Sequence, residues 1–415
     1  MSTPEHSVDP GRTHDRRPGE GTDGANRSAL TVMLLASTLA VMAGTVLAPV
    51  VELLRDDLDL TRTAAGLVLT AHGLSLAVAG PFVGWTIDRW GVRWTLAAGL
   101  ATYGIAGGAG LVLTSYPLLV ASRVVFGVGA AAVFVGTTVA LLDLAGPAAK
   151  QRVMGWRTTA ISLGGVGWPL VGGALGALSW HASFGAYLVG LPLGVAVLRV
   201  LPARGAPRPG AGRGRQHLGV LLRRRSRLLV VYFLQMVATV LLYCVVVFLP
   251  ARLAELGITH SLLVAVFSVV LSVTMSIVGL TYAHVLRRLG YRALLTAAFG
   301  LWLAAFLCLG LGPAPVWMIV GPALFGVGMG LAVPALTVLA VDRAPVHLRA
   351  QATALLATTT FAAQFAAPLA FGPLAGATSV AGAYLCAAGV AAGALIVVLT
   401  DRSWGRRGRC PGSGG

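Results

Sequence analysis

Phe126-Gly127-Val128-Gly129 is answered by Phe325-Gly326-Val327-Gly328, 199 residues further along the chain. The same displacement carries Gly91 to Gly290, Arg93 to Arg292, Asp143 to Asp342, Pro169-Leu170 to Pro368-Leu369 and Gly173 to Gly372. Leu58-Asp59-Leu60-Thr61 meets Leu256-Gly257-Ile258-Thr259 at a displacement of 198. One such coincidence carries no weight in a chain with 54 glycines. A single register held across four helices does, and it marks an internal duplication.

Each half is a succession of apolar stretches. Hydrophobic residues make up 56% of the chain and charged residues 11%, where a soluble domain carries about 25%. A helical crossing of a bilayer takes roughly 20 apolar residues. The first half supplies six such stretches, TM1 to TM6, at 29–54, 63–86, 94–114, 117–142, 155–178 and 181–200. The second supplies TM7 to TM12 at 228–250, 261–284, 291–312, 315–340, 352–375 and 378–400. The breaks at Ser115-Tyr116-Pro117 and Gly312-Pro313-Ala314-Pro315 read as tight hairpins. Six crossings per half leave both halves in the same orientation. The fold class is therefore an all-α membrane protein of twelve transmembrane helices in two parallel six-helix repeats. Its segments are a disordered tail (1–28), a six-helix bundle (29–200), a basic linker (201–227), a second bundle (228–400) and a terminal tail (401–415).

The formal charge of +17 invites a nucleic-acid reading, but its placement argues for a membrane. With the N-terminus inside, cytoplasmic segments collect Arg89, Arg93, Lys150, Arg152, the run from Arg204 through Arg227, Arg287, Arg288, Arg292, Arg343, Arg349 and Arg402–Arg409. The opposite side holds Arg55, Arg62 and Arg252. That asymmetry orients the chain by the positive-inside rule, with both termini cytoplasmic and the lipid bilayer as partner instead of nucleic acid. The mixed-charge opening segment is no signal peptide. Cys244, Cys308, Cys386 and Cys410 show no disulfide or metal spacing, and no cofactor is expected.

Between TM2 and TM3 stands Gly84-Trp85-Thr86-Ile87-Asp88-Arg89-Trp90-Gly91-Val92-Arg93. A carboxylate and two guanidiniums at a helix end can latch onto a neighbouring helix terminus, and Gly91 permits the turn. TM4 carries Leu119, Arg123, Gly127, Gly129, Ala130 and Ala131; TM5 carries Gly155, Gly164, Trp168, Pro169, Gly172 and Gly173. The loop resembles the signature of the major facilitator superfamily, G-x-L-x-D-R-x-G-R-[KR]-[KR], with Thr86, Val92 and Trp94 departing from it. The TM5 row resembles that superfamily's antiporter motif, G-x8-G-x3-G-P-x2-G-G, with Trp168 replacing a glycine. The resemblance implies gating by Asp88, Arg89, Gly91 and Arg93, with Asp88 facing the start of TM11 and Asp143 pairing with Arg89 or Arg93. In the second half the loop is degenerate, with Arg287 at the place of Asp88.

Arg123 is the only strong cation that these spans place well inside the membrane, where charge is expensive. Tyr232, Gln235, Thr239 and Tyr243 share one face of TM7; Thr353, Thr360 and Gln364 share a face of TM11; His72 and Ser75 share a face of TM2. Such stripes either orient a partly polar substrate or hydrogen-bond helix to helix. The substrate-binding candidates are Tyr232, Gln235, Thr239, Tyr243, Thr360 and Gln364.

The expected activity is secondary active export of a small, largely apolar organic molecule, driven by proton entry and carried out by a monomer. Proton-coupled import is the alternative in the same class. An intramembrane enzyme is disfavoured, since neither a metal cluster nor a paired-carboxylate site is present. None of the fourteen acids lies near the middle of a span. The proton carrier is therefore expected to be His72, whose side-chain type titrates near physiological pH, or the rim acid Glu52, with Arg123 required.

Overall fold

The computed structural model describes residues 20–145, 149–202, 226–344 and 349–400. The expected linker core, the C-terminal tail and residues 1–19 lie outside the described residues. TM1 is Glu20–Thr45, continued by a 3-10 turn at Ala48–Val50 and a short helix, Val51–Asp57. TM2 is Arg62–Trp90, TM3 Val92–Gly108, TM4 Tyr116–Leu144 and TM5 Lys150–Gly176. TM6 runs through Trp180–Gly185, Ala186–Val189 and Gly190–Val200. In the second half TM7 is Ser226–Glu255, TM10 Trp317–Arg343, TM11 Arg349–Ala377 and TM12 Val380–Thr400.

By length and composition, nine helices among the described residues can cross a membrane. One of them, Ser261–Leu311, holds 51 residues. At 1.5 Å per residue that is about 77 Å, against about 30 Å of hydrocarbon. It is two crossings, TM8 and TM9, broken at Gly290 with φ 74° and ψ 169°. The 17-residue TM3 and TM5, with its charged first turn, complete the twelve.

The duplication is visible in backbone detail. Gly91 has φ 82° and ψ 159°, nearly the conformation of Gly290, in a region that only glycine occupies without strain. Two residues on, Arg93 donates from Nη2 to the carbonyl of Leu198 at the end of TM6. Arg292 donates to Leu399 at the end of TM12 over 2.6 Å. The turns after TM1 and TM7 match as well. The amide of Leu60 donates to the Arg55 carbonyl and that of Ile258 to the Leu253 carbonyl, each at 2.9 Å. Both turns pass through a left-handed residue, Asp59 (φ 48°) and Gly257 (φ 79°), as a Schellman helix ending requires.

The repeated Phe-Gly-x-Gly segments explain why the halves fold alike. A β-carbon added at Gly127 would sit 2.5 Å from the His72 carbonyl oxygen, and one at Gly326 would sit 2.6 Å from that of Leu271. Two residues later, Gly129 and Gly328 press against the carbonyls of Gly99 and Ala298, each at 2.8 Å. TM4 is thus clasped between TM2 and TM3, and TM10 between TM8 and TM9, by backbone contact that only glycine allows.

The two halves meet along TM2–TM11 and TM5–TM8, and that seam is closed at one face only. A β-carbon at Gly66 would lie 2.7 Å from Pro368 Cβ; one at Gly173 would lie 2.6 Å from Ala265 Cβ; one at Gly372 would lie 2.9 Å from Thr63 Cα. Gly84 is eighteen residues from Gly66, and Gly155 eighteen from Gly173, five helical turns in each case and so on the same helix bearing. Neither meets anything within 4 Å. The seam is packed beside the TM1–TM2 and TM7–TM8 turns and splayed beside the TM2–TM3 loop.

This gradient predicts the effect of bulk at the packed end. Gly66→Val should open the closed face, since overpacking costs about 1–3 kcal/mol. In a cysteine-free background, a cysteine replacing Ser272 should then react several-fold faster with an impermeant maleimide supplied from the side of the TM1–TM2 turn. An unchanged rate would mean that the seam is not held by contact at Gly66.

Candidate functional site

His72 and Gln364 meet at the seam. Their Nε2 atoms are 2.9 Å apart, linking TM2 of one half to TM11 of the other, and both side chains are buried. The contact is possible because Gly73, the next residue, lets the Phe361 carbonyl approach to 2.9 Å of where a β-carbon would be. The His72 ring stands edge-on to Phe126 at 5.7 Å. The other face of this aromatic group belongs to Arg123, whose guanidinium lies 4.7 Å from Phe126, 4.8 Å from Phe184 and 5.0 Å from Tyr187. Arg123 donates from Nη2 to the Gly107 carbonyl at 2.6 Å. It is enclosed by TM3, TM4 and TM6 of its own half, and the Phe126 ring touches both it and His72. Cation–π contacts in so dry a setting reach ~2 kcal/mol or more, which offsets part of the cost of the buried charge.

The TM7 stripe divides its contacts. Tyr232 donates to the Ala352 carbonyl at 3.1 Å and Gln235 donates to Thr360 Oγ1 at 3.2 Å, both toward TM11 of the same half. Thr239 donates back to the Gln235 carbonyl at 3.0 Å. Tyr243 turns instead to TM1 of the other half, its hydroxyl 3.0 Å from where a Gly44 β-carbon would lie. Buried Gln235 keeps its Oε1 without a hydrogen-bond partner among the described residues.

The TM5 row ties three helices together. Gly164 approaches the Thr38 carbonyl of TM1, and Trp168 donates from Nε1 to Thr38 Oγ1 at 3.2 Å. The bulk that replaces a glycine here is a bridge to TM1. Ser183 donates to the Gly172 carbonyl at 2.9 Å and Ser261 to that of Gly173 at 2.8 Å. Pro169 lies inside the helix. At the TM2–TM3 loop, Arg89 lies over the Trp85 ring at 5.8 Å, while Arg93 holds the end of TM6 as described. Asp88 is half-buried and Asp143 exposed. The segment 345–348, beside which Asp88 is expected to point, lies outside the described residues.

Glu52 sits at the packed face, paired with Arg55 at 2.5 Å. Near it Arg62 of TM2 reaches Glu255 of TM7 at 3.6 Å and the Ala375 carbonyl of TM11 at 3.5 Å, a tie between the halves that an outer-loop assignment of Arg62 had hidden.

Arg123 is not the only buried arginine among the described residues. Arg157 on TM5 is 8% exposed, donates to the Phe134 carbonyl at 3.3 Å and lies 5.2 Å from the Phe134 ring. A TM5 starting at 155 left Arg157 at the membrane edge. The helix starts at Lys150, which sets Arg157 two turns in. The signal was the charge itself, at the edge of an apolar stretch.

Two six-helix bundles around a seam closed at one face are the architecture of an alternating-access carrier. The chain belongs to the Major Facilitator Superfamily, whose model matches residues 33–368 and again 231–409. It is a multi-pass membrane transporter and not an enzyme. It is 34% identical over 151 residues to the Multidrug resistance protein B homolog of Mycobacterium tuberculosis, covering 36% of this chain and 27% of that protein. The match thus spans about a quarter of that relative. Among solved structures, the D-xylose-proton symporter superposes with a TM-score of 0.74 at 16% identity, covering 90% of this chain and 97% of the other. The nucleoside transporter NupG gives 0.71 at 15%, covering 90% and 98%. At such identity these two show the fold.

Breaking the Arg62 tie gives a measurable outcome. Both partners are about 30% exposed, so the pair contributes on the order of 0–1 kcal/mol. Glu255→Gln should raise the population open at the packed face by up to about fivefold, read as spin-label distances across that face, with the effect fading at high salt. A salt-independent change would assign the tie to packing.

Proposed function

We propose that this protein is a proton-coupled exporter of a small, largely apolar organic molecule, working as a monomer in the plasma membrane with both termini cytoplasmic. The observation that carries the direction is the TM5 glycine row. It resembles the antiporter motif, and it packs on TM1 of its own half and on TM8 across the inter-half seam. The similarity to a multidrug resistance protein supports the same direction. The basic loops orient the splayed face toward the cytoplasm, so the described state is inward-facing.

His72 is the proton carrier in this reading. A neutral imidazole accepts the Gln364 amide N–H at 2.9 Å. A protonated imidazole has no lone pair there and must turn the amide or part from it. Proton uptake on TM2 therefore acts directly on a bond that crosses the seam. Arg123, behind Phe126, is required in this reading. Glu52 offers a route at the packed face. Tyr232, Gln235, Thr239, Tyr243 and Thr360 orient substrate along TM7 and TM11, and Asp88, Arg89, Gly91, Arg93 and Asp143 close the cytoplasmic side in the opposite state.

The test uses proteoliposomes with an imposed pH gradient and a panel of labelled apolar compounds. Export should follow the gradient in the wild type. His72→Ala should abolish gradient-driven transport while leaving downhill exchange within about threefold, and Glu52→Gln should have the smaller effect. Asp88→Asn should lower transport at least tenfold with normal abundance. Full gradient-driven transport by His72→Ala removes the imidazole from the coupling path. Accumulation in the opposite sense would make the carrier an importer.

A further inference from the structure

Among the described residues, the central seam holds a cation and no acid paired with it. Arg157 is buried, its Nε has no hydrogen-bond partner, and no carboxylate among the described residues pairs with it. The carboxylate nearest along its partner helix is Asp143, nine residues past Phe134 on TM4 and about 13 Å away along the axis. Arg157 also differs from Arg123 in its access. Arg123 is walled in by rings of its own half, whereas the ring under Arg157 is part of the seam. Phe134 meets Phe361 of TM11 edge-on at 5.8 Å and 88°. Phe361 lies between Thr360 and the His72 partner Gln364 on the same helix. Just beyond Arg157 on the same helix, Gly155 has nothing within 4 Å, where the seam is splayed. The repeat places Leu356 at the equivalent position of the second half, so the positive charge is one-sided.

We infer that Arg157, with Phe134 and Phe361, forms the substrate's charge-reading subsite, and that the preferred cargo is an organic anion: a single carboxylate or like group on an apolar, aromatic body. The rings supply flat apolar faces, and the guanidinium supplies a fork that pairs a carboxylate. A cationic body would enter a dry site that already holds a positive charge with no acid to balance it. The inference rests on the transporter reading above and narrows its substrate class.

The test is ligand-induced thermal stabilisation of the purified full-length protein with three probes of one shape: 1-naphthoate, 1-naphthamide and 1-naphthylmethylamine. In the wild type, naphthoate should half-saturate at a concentration at least tenfold lower than either of the others. Arg157→Gln should bring naphthoate within about twofold of the amide. Arg157→Lys, which keeps charge without the fork, should retain an intermediate preference and guards against a folding defect in the first variant. Equal or stronger binding of the amine, retention of the preference in Arg157→Gln, or no stabilisation of the wild type by any probe overturns the anion subsite. Gradient-driven transport by the wild type is read separately in proteoliposomes. Its absence defeats the export reading and leaves the binding preference to stand or fall by itself.

Discussion

Everything in this fold depends on one constraint of the lipid phase: helices there gain nothing from hiding apolar side chains from one another, so they must be held by close contact. Glycine against a neighbouring helix is a contact this chain uses repeatedly. Gly127 on His72, Gly326 on Leu271, Gly129 on Gly99 and Gly328 on Ala298 set the two cores. Gly66, Gly173 and Gly372 set the seam between them. Such contacts gain dispersion energy over many atoms and leave the few hydrogen-bonding side chains free for other work. Among the described residues, the polar groups that cross the seam are correspondingly few, and His72 with Gln364 and Ser261 with the Gly173 carbonyl are buried among them.

The halves share a backbone but not a chemistry. At the site of Arg123 the second half has Pro322, and at the site of Arg157 it has Leu356. Where Asp88 stands in the first loop, Arg287 stands in the second. The aromatic group around Phe126 has a counterpart in Phe299, Trp302, Phe306 and Phe325, packed without a cation. The first bundle thus carries charge through the membrane interior while the second supplies neutral hydrogen-bonding groups on TM7 and TM11. Duplication fixed the scaffold, and divergence divided the labour.

Much of this was legible in the sequence because the fold repeats and because glycine is informative. A register of 199 predicts that Gly91 and Gly290 do the same thing, and they adopt the same rare backbone conformation. Apolar length predicts crossings, but their ends depend on caps and turns, and hydropathy does not register these. The late start given to TM5 hid Arg157 in this way. Partnership across the seam was also beyond reach. Nothing in the spacing of His72 and Gln364, 292 residues apart, says that they touch. Nor does the sequence say that Trp168 bridges to Thr38, since a bulky residue in a glycine row reads equally well as a defect.

The five-turn spacing on TM2 and TM5 has a further consequence for energetics. Gly66 and Gly84, like Gly173 and Gly155, present the same bare backbone at opposite ends of one helix face. A rocking motion that exchanges which end is packed exchanges like for like, so the bulk of the contact energy cancels between the two states. What remains to separate them is a short list of polar ties and whatever the cavity holds. A two-state element with so small a gap responds to a differential of a few kcal/mol, the scale of one proton or one bound ligand. The molecule is built as a balance whose arms weigh nearly the same, and its sensitivity comes from that equality.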